Sequence, residues 1–162
     1  MKSTFFTLAT AFLISSLSAQ YVAADQAKAK DFSDKAKQKI QTGDVGKAEL
    51  LYAQALQEEP NSSEIALSLA EFYIQQRRFD EAEKMIARGD VNHFHYWKTK
   101  AILYQSTGDQ PHAIAAFEQA LNVGGKEDTY VLSNLQMHYE ASGDSARKKQ
   151  MENLLASLSL KS

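Results

Sequence analysis

Cysteine is absent from the 162 residues. That absence removes thiol nucleophiles, disulfides, cysteine metal sites and the bacterial type of lipid attachment, which needs a cysteine at the processed N-terminus. The fold must be held by packing alone. Proline is scarce as well, with Pro60 and Pro111 the only two. Long proline-free tracts rich in Ala, Leu, Gln, Glu and Lys favour helix throughout. No run of five or more like charges occurs and the net charge is −2. This argues against a nucleic-acid surface, which needs concentrated Lys and Arg to displace counterions. No Gly-rich phosphate loop exists, because the paired Gly124-Gly125 reads as a helix end. What is present is ordinary for a single soluble domain, 44% hydrophobic and 23% charged residues.

The opening stretch stands apart from the rest. Lys2 gives one early positive charge, an apolar run extends from Phe5 to Leu17, and small residues follow, with Val22 and Ala24 at the spacing a processing peptidase prefers. This is the layout of a secretory signal peptide over residues 1–24, removed after Ala24. A membrane anchor or a first amphipathic helix are the alternatives. A span needs about 20 apolar residues, and this run is shorter and dotted with Thr and Ser. The expectation is a mature chain that begins near Asp25, lies in a periplasm or outside the cell, and keeps no stable membrane span.

From Ala27 onward the apolar pattern has helical period, broken by short turns. The first helix is expected over Ala27–Gln41, with Phe32, Ala36 and Ile40 on one side. Thr42-Gly43-Asp44 ends it, glycine suiting the left-handed residue after a helix and aspartate capping the next. The second helix carries Ala48, Tyr52, Ala55 and Leu56 and stops at Glu59-Pro60. Asn61-Ser62-Ser63-Glu64 is a capping-box pattern that opens a third helix with Ile65, Leu69, Ala70, Tyr73 and Ile74. Its turn, at Gln76-Arg77-Arg78, falls 34 residues after Gly43, with Arg77 in place of glycine. A short fourth helix is expected over Glu81–Arg88. Asn92 can cap a fifth with Phe94, Trp97, Ala101 and Tyr104. Thr107-Gly108-Asp109 repeats the first turn, and Pro111 lies in the first turn of the sixth helix, where its missing N–H costs little. The seventh is expected over Glu127–Ala141. Ser142-Gly143-Asp144 precedes an eighth, to about Ser159, with Met151, Leu154, Leu155 and Leu158.

Small and aromatic residues recur at fixed places in these helix pairs. The first pair supplies Phe32, Ala36, Ala48, Tyr52, Ala55 and Pro60. The third supplies Trp97, Ala101, Tyr104, Ala113, Phe117 and Ala120, with Gly125 where proline would stand. The second keeps Ala70, Tyr73 and Ala82 but has Ile86 for the aromatic. The fourth departs most, with Gln136, Lys148 and Glu152 where small or aromatic residues are expected. In this pattern the chain resembles the tetratricopeptide-repeat family. The resemblance implies an all-α superhelical solenoid of about eight antiparallel helices after the signal peptide. The repeats fall at approximately 29–62, 63–93, 94–127 and 128–162. It specifies fold well and function poorly, because the motif residues are packing residues.

By family geometry the first helix of each pair lines an inner, concave wall. The groove residues so implied are Lys37, Ile40 and Gln41 in repeat one, with Leu67, Glu71, Ile74 and Gln75 in repeat two. Repeat three offers His95, Lys98, Ile102 and Gln105, and repeat four Tyr130, Asn134 and Met137. Ile40, Leu67, Ile74, Ile102 and Met137 would form an apolar floor, suited to an extended peptide or a partner helix. The carboxylate clamp of some members, built from Lys, Asn and Arg, is missing, since the corresponding places hold Ser33, Lys37, Glu71 and Thr99. His93 and His95 lie two apart, about 200° around a helix, and no nearby carboxylate or third histidine completes a metal set. The short fourth helix is expected to leave a notch between repeats two and three, beside Trp97.

No nucleophile stands beside a base in a strained turn, so no enzyme is expected, and neither is a cofactor. The reading is a periplasmic or secreted scaffold that binds another protein or a peptide, in an envelope assembly, secretion or pilus-type system. A self-associating homo-oligomeric module is one alternative. A binder of small molecules or cell-wall fragments near Trp97 is another.

Overall fold

The structure, a computed structural model, describes the backbone of residues 3–160 and the side chains of residues 22–160. Eight α-helices follow one another: α1 Ser3–Gln41, α2 Val45–Glu58, α3 Ser63–Gln75, α4 Phe79–Ile86, α5 Phe94–Thr107, α6 Gln110–Asn122, α7 Thr129–Ala141 and α8 Ser145–Ser159, with a 3-10 turn at Gly125–Glu127. No strand occurs among the described residues. The chain divides into two compact units, Met1–Ile65 and Ala66–Ser162. No helix among the described residues is long and apolar enough to cross a membrane.

Unit one is the α1/α2 hairpin. Ala29, Ser33 and Ala36 on α1 are buried, as are Ala48, Tyr52 and Ala55 on α2. These positions recur at helical spacing, and the alanines and Ser33 among them let two axes approach to about 8–10 Å. At the open end Lys28 pairs with Glu58 at 2.5 Å, which fixes the two helices as antiparallel. The first helix is longer than expected, because its backbone is continuous from Ser3 rather than beginning at Ala27. Ala24 sits exposed on that helix. Lys2 and the side chains of Phe5–Leu17, which carried the signal-peptide reading, lie outside the described residues.

Unit two holds the α3/α4, α5/α6 and α7/α8 pairs around two apolar clusters. One joins Leu67, Ala70 and Ile74 of α3 to Ala82 and Ile86 of α4 and Leu103 of α5. The other joins Ala101 of α5, Ala116, Phe117 and Ala120 of α6, Val131, Leu132, Leu135 and Tyr139 of α7, and Met151 of α8. Phe117 is wholly buried, a burial worth about 1.5–3 kcal/mol. Leu154, Leu155 and Leu158 of α8 pack beside the second cluster. Helix α5 contributes to both clusters.

One turn recurs four times. Gly43, Gly108 and Gly143 have φ of 75°, 84° and 75°, and Arg77 has φ of 58°. In each, the left-handed residue donates its N–H to the carbonyl three residues back and the next N–H reaches five back. The eight bonds, from Gly43→Ile40 to Asp144→Tyr139, measure 2.8–3.2 Å. This double bond satisfies the free carbonyls at a helix end. Asp109, Asp128 and Asp144 then cap the following helices, accepting from the N–H of His112, Val131 and Arg147.

Three boundaries differ from expectation. Helix α4 spans Phe79–Ile86 rather than Glu81–Arg88, because the Arg77 turn is as tight as the glycine turns and releases the chain into helix at once. Asn92 does not cap α5. Its N–H bonds the Asp90 carboxylate at 2.9 Å, and His93 caps instead, Nδ1 accepting from the His95 N–H at 3.3 Å. Helix α7 begins at Thr129 because the 3-10 turn takes Gly125–Glu127 and leaves Asp128 as the cap. Between α4 and α5 the chain passes through Gly89, where an added Cβ would lie 2.8 Å from both Leu67 and Tyr96.

Candidate interaction face

The first helices of the unit-two pairs are α3, α5 and α7, and their polar side chains meet. Glu71 on α3 accepts from the Thr99 hydroxyl at 3.0 Å and contacts His95 Nε2 at 3.1 Å, both on α5. Burial alone would raise the Glu71 carboxyl. The His95 hydrogen bond and charge, the Thr99 hydroxyl and the charge of Lys98 outweigh it, and the group sits below its ordinary value.

From α5 the connection continues to α7. Lys98 Nζ reaches Asp128 at 2.8 Å and lies 5.4 Å from the Tyr130 ring centroid. Gln105 donates to Asn134 Oδ1 at 2.9 Å and accepts from the Tyr130 hydroxyl at 3.3 Å. Asn134 in turn donates to the Tyr130 carbonyl at 2.8 Å. Burial pushes the Asp128 carboxyl up, but Lys98 and the capping N–H groups draw it down further, so its net direction is downward. The Lys98 and Asp128 side chains keep only 23% and 17% of their exposure. Removing either partner would leave a half-buried charge unpaired.

Six of the expected groove residues, Glu71, His95, Lys98, Gln105, Tyr130 and Asn134, thus form one connected ladder. Tyr130 and Met137 stay open beside it, 42% and 54% exposed. Gln75 is exposed, and Ile102 is partly buried against the α3–α4–α5 cluster. Leu67 and Ile74, expected on an apolar floor, are instead 1% and 4% exposed. They are core residues of that cluster and offer no surface to a partner.

In unit one Lys37 and Gln41 are exposed and Ile40 is partly buried. Lys37 lines a cavity of about 190 Å³ with Lys30, Ser33 and Asp34 of α1 and Glu59, Ser62 and Glu64 beyond α2. Two members of the ladder escaped sequence reasoning as partner-facing residues. Thr99 lies one turn beyond His95, and Asp128 stands in a cap position, so their spacing was visible while their pairing was not. His93 and His95 serve different ends, one a helix cap and the other a contact to Glu71. Among the described residues no group of three His, Cys, Asp or Glu side chains is placed to hold a metal ion. The arrangement offers hydrogen-bonding groups, a neutralised ion pair and two open apolar side chains along one line.

Helical hairpins each closed by the same turn, with α3, α5 and α7 meeting on one face of unit two, define a helical-repeat fold. A family model for the tetratricopeptide repeat matches residues 39–103. Solved structures extend the likeness over most of the chain. A crystal structure of MamA is 17% identical, covers 82% of this chain and 73% of its own, and has a TM-score of 0.58. Another MamA crystal structure is 14% identical over 88% and 85%, with a TM-score of 0.62. The first tetratricopeptide repeat domain of Spaghetti (RPAP3), bound to the HSP90 peptide SRMEEVD, is 14% identical over 73% and 95%, with a TM-score of 0.60. Among curated proteins none matches the sequence. Residues 39–103 match the tetratricopeptide repeat, and the chain shares the fold of these solved structures, a fold that supports protein–protein interaction scaffolds.

Proposed function

We propose that this chain is an exported scaffold that binds a peptide or partner helix along the face of α3, α5 and α7. The observation that carries the reading is the ladder itself. Its polar groups are held in place by one another, so a partner meets a preorganised surface and little side-chain freedom is lost on binding. Tyr130 and Met137 supply the open apolar contacts.

The partner differs in chemistry from the acidic peptide bound to the RPAP3 domain. Glu71, bonded to Thr99 and His95, stands where a clamp for a carboxylate needs a base. A segment of mixed polar and apolar character, without a cluster of acids, fits this face better. Export rests on the leader: Lys2, the apolar run and the Val22–Ala24 spacing. An envelope assembly, secretion or pilus-type system is the setting consistent with export and a binding fold.

A photoreactive residue at Met137 tests the face. The expected outcome is one specific adduct in envelope extract that disappears when Tyr130 is replaced by alanine. Equal adducts from a photoreactive residue at Leu50, an exposed site on α2, would refute the assignment. N-terminal sequencing of the secreted chain should begin at Asp25.

A further inference from the structure

The opposite side of α5 carries a second site. Positions 98 and 100 lie about 200° apart around a helix, so Lys98 joins the ladder while Lys100 turns away from it. Lys100 lines a cavity of about 200 Å³ between α4 and α5, whose walls are Glu83 and Ile86 of α4, Ala87 just after it, and Tyr96, Leu103 and Tyr104 of α5.

Lys100 stands apart from the other partly buried lysines of unit two. Lys98 and Lys148, of similar burial, each reach a carboxylate. Lys100 is half-buried, and the contacts shown for it among the described residues are aromatic faces. Its Nζ lies 5.7 Å from the Tyr96 ring centroid, 5.4 Å from Trp97 and 5.9 Å from Tyr104. Ring faces attract a cation but donate no lone pair, so much of the ammonium's hydrogen-bonding capacity is left for an acceptor. Glu83, which lines the same cavity, is exposed and forms no ion pair with it.

We propose that this cavity binds a small carboxylate with an aromatic or branched apolar body, its carboxylate on Lys100 and its body against Ile86, Leu103 and the tyrosine rings. The size agrees, since an apolar cavity of about 150 Å³ accepts benzene. This site does not depend on partner binding by the ladder, and its test has a separate readout.

Phenylacetate is the probe, and Trp97, the single tryptophan, is the reporter. The expected result is a saturable fluorescence change with a dissociation constant on the order of 1 mM, as befits a ligand of ten heavy atoms. Phenylacetamide, the uncharged isostere, should bind at least about 10-fold more weakly, the loss expected when a charge-assisted bond is replaced by a neutral one. Lys100→Met keeps the apolar stem and should lose the response. Ala87→Phe fills the cavity without touching either charge and should lose it too. Glu83→Gln should tighten binding, because it removes a like charge from the cavity lining. Circular dichroism melts confirm that each variant is folded, and if Lys100→Met is not, Ala87→Phe decides. Equal binding of phenylacetamide, unchanged binding in either cavity variant, or no saturation by about 20 mM (well beyond the expected constant) would overturn the proposal.

Discussion

Replacing Arg77 first by alanine and then by glycine isolates the cost of the irregular turn. Among the described residues Arg77 is the only one other than glycine with positive φ, at 58°. Left-handed backbone costs an L residue about 1–2 kcal/mol. Glycine avoids this but loses about 0.5–1 kcal/mol more conformational freedom on folding. At the midpoints of these ranges the net gain from alanine to glycine at this position is about 0.75 kcal/mol. Arginine adds a compensation of its own, since its guanidinium lies 5.8 Å from the Phe79 ring, a contact worth about 0.5 kcal/mol when exposed. Arg77→Ala should accordingly lose that contact and keep the strain. Arg77→Gly should then melt about 1–4 °C above Arg77→Ala for a chain of this size. Gly108→Ala supplies the converse, because nothing lies within 4 Å of the added Cβ and any loss is conformational. Thermal and urea unfolding of the three variants would measure this. If Arg77→Gly is no more stable than Arg77→Ala while Gly108→Ala costs nothing, the left-handed residue carries no strain and the reasoning fails.

Gly125→Ala would place a Cβ 2.7 Å from the Ala120 carbonyl oxygen; a loss of about 1–3 kcal/mol is expected from overpacking, measured by denaturant titration. Burial, then the Glu118 carboxylate to which it donates at 2.8 Å, pushes the Tyr139 hydroxyl up to about 12. In an alkaline absorbance titration it should ionise after an ordinary tyrosine, and Glu118→Gln should lower it. His138 is held below its ordinary value by burial, and its Nε2 has no partner among the described residues. The folded state then favours the neutral ring, so stability is full above the unfolded value near 6.5 and falls as pH drops through and below it. Urea midpoints at pH 7.5 and 5.5 should show that fall, flattened in His138→Met.

Much of the fold was readable in advance because glycine and aspartate punctuate it. The Gly43, Gly108 and Gly143 turns lie where their chemistry requires a left-handed residue, and the spacing even located Arg77. Pairings over distance were less readable. Lys98 meets Asp128 thirty residues on, and nothing in either residue's local pattern announces it. Leu67 and Ile74 misled for a different reason. Residues Ile65 through Ala70 are all buried, so α3 has no free stripe there, and helical spacing cannot tell an open face from a covered one. His93 displaced Asn92 as a cap because Asp90 was near enough to claim the asparagine first.

Helix α5 has Glu71 and Asp128 as neighbours on one side and the Lys100 cavity on the other, with core residues between. Any change that rolls or slides this rod would disturb both surfaces together. A repeat protein engineered by exchanging α5 would therefore transplant two specificities, and only side-chain changes confined to Lys98 or to Lys100 would separate them.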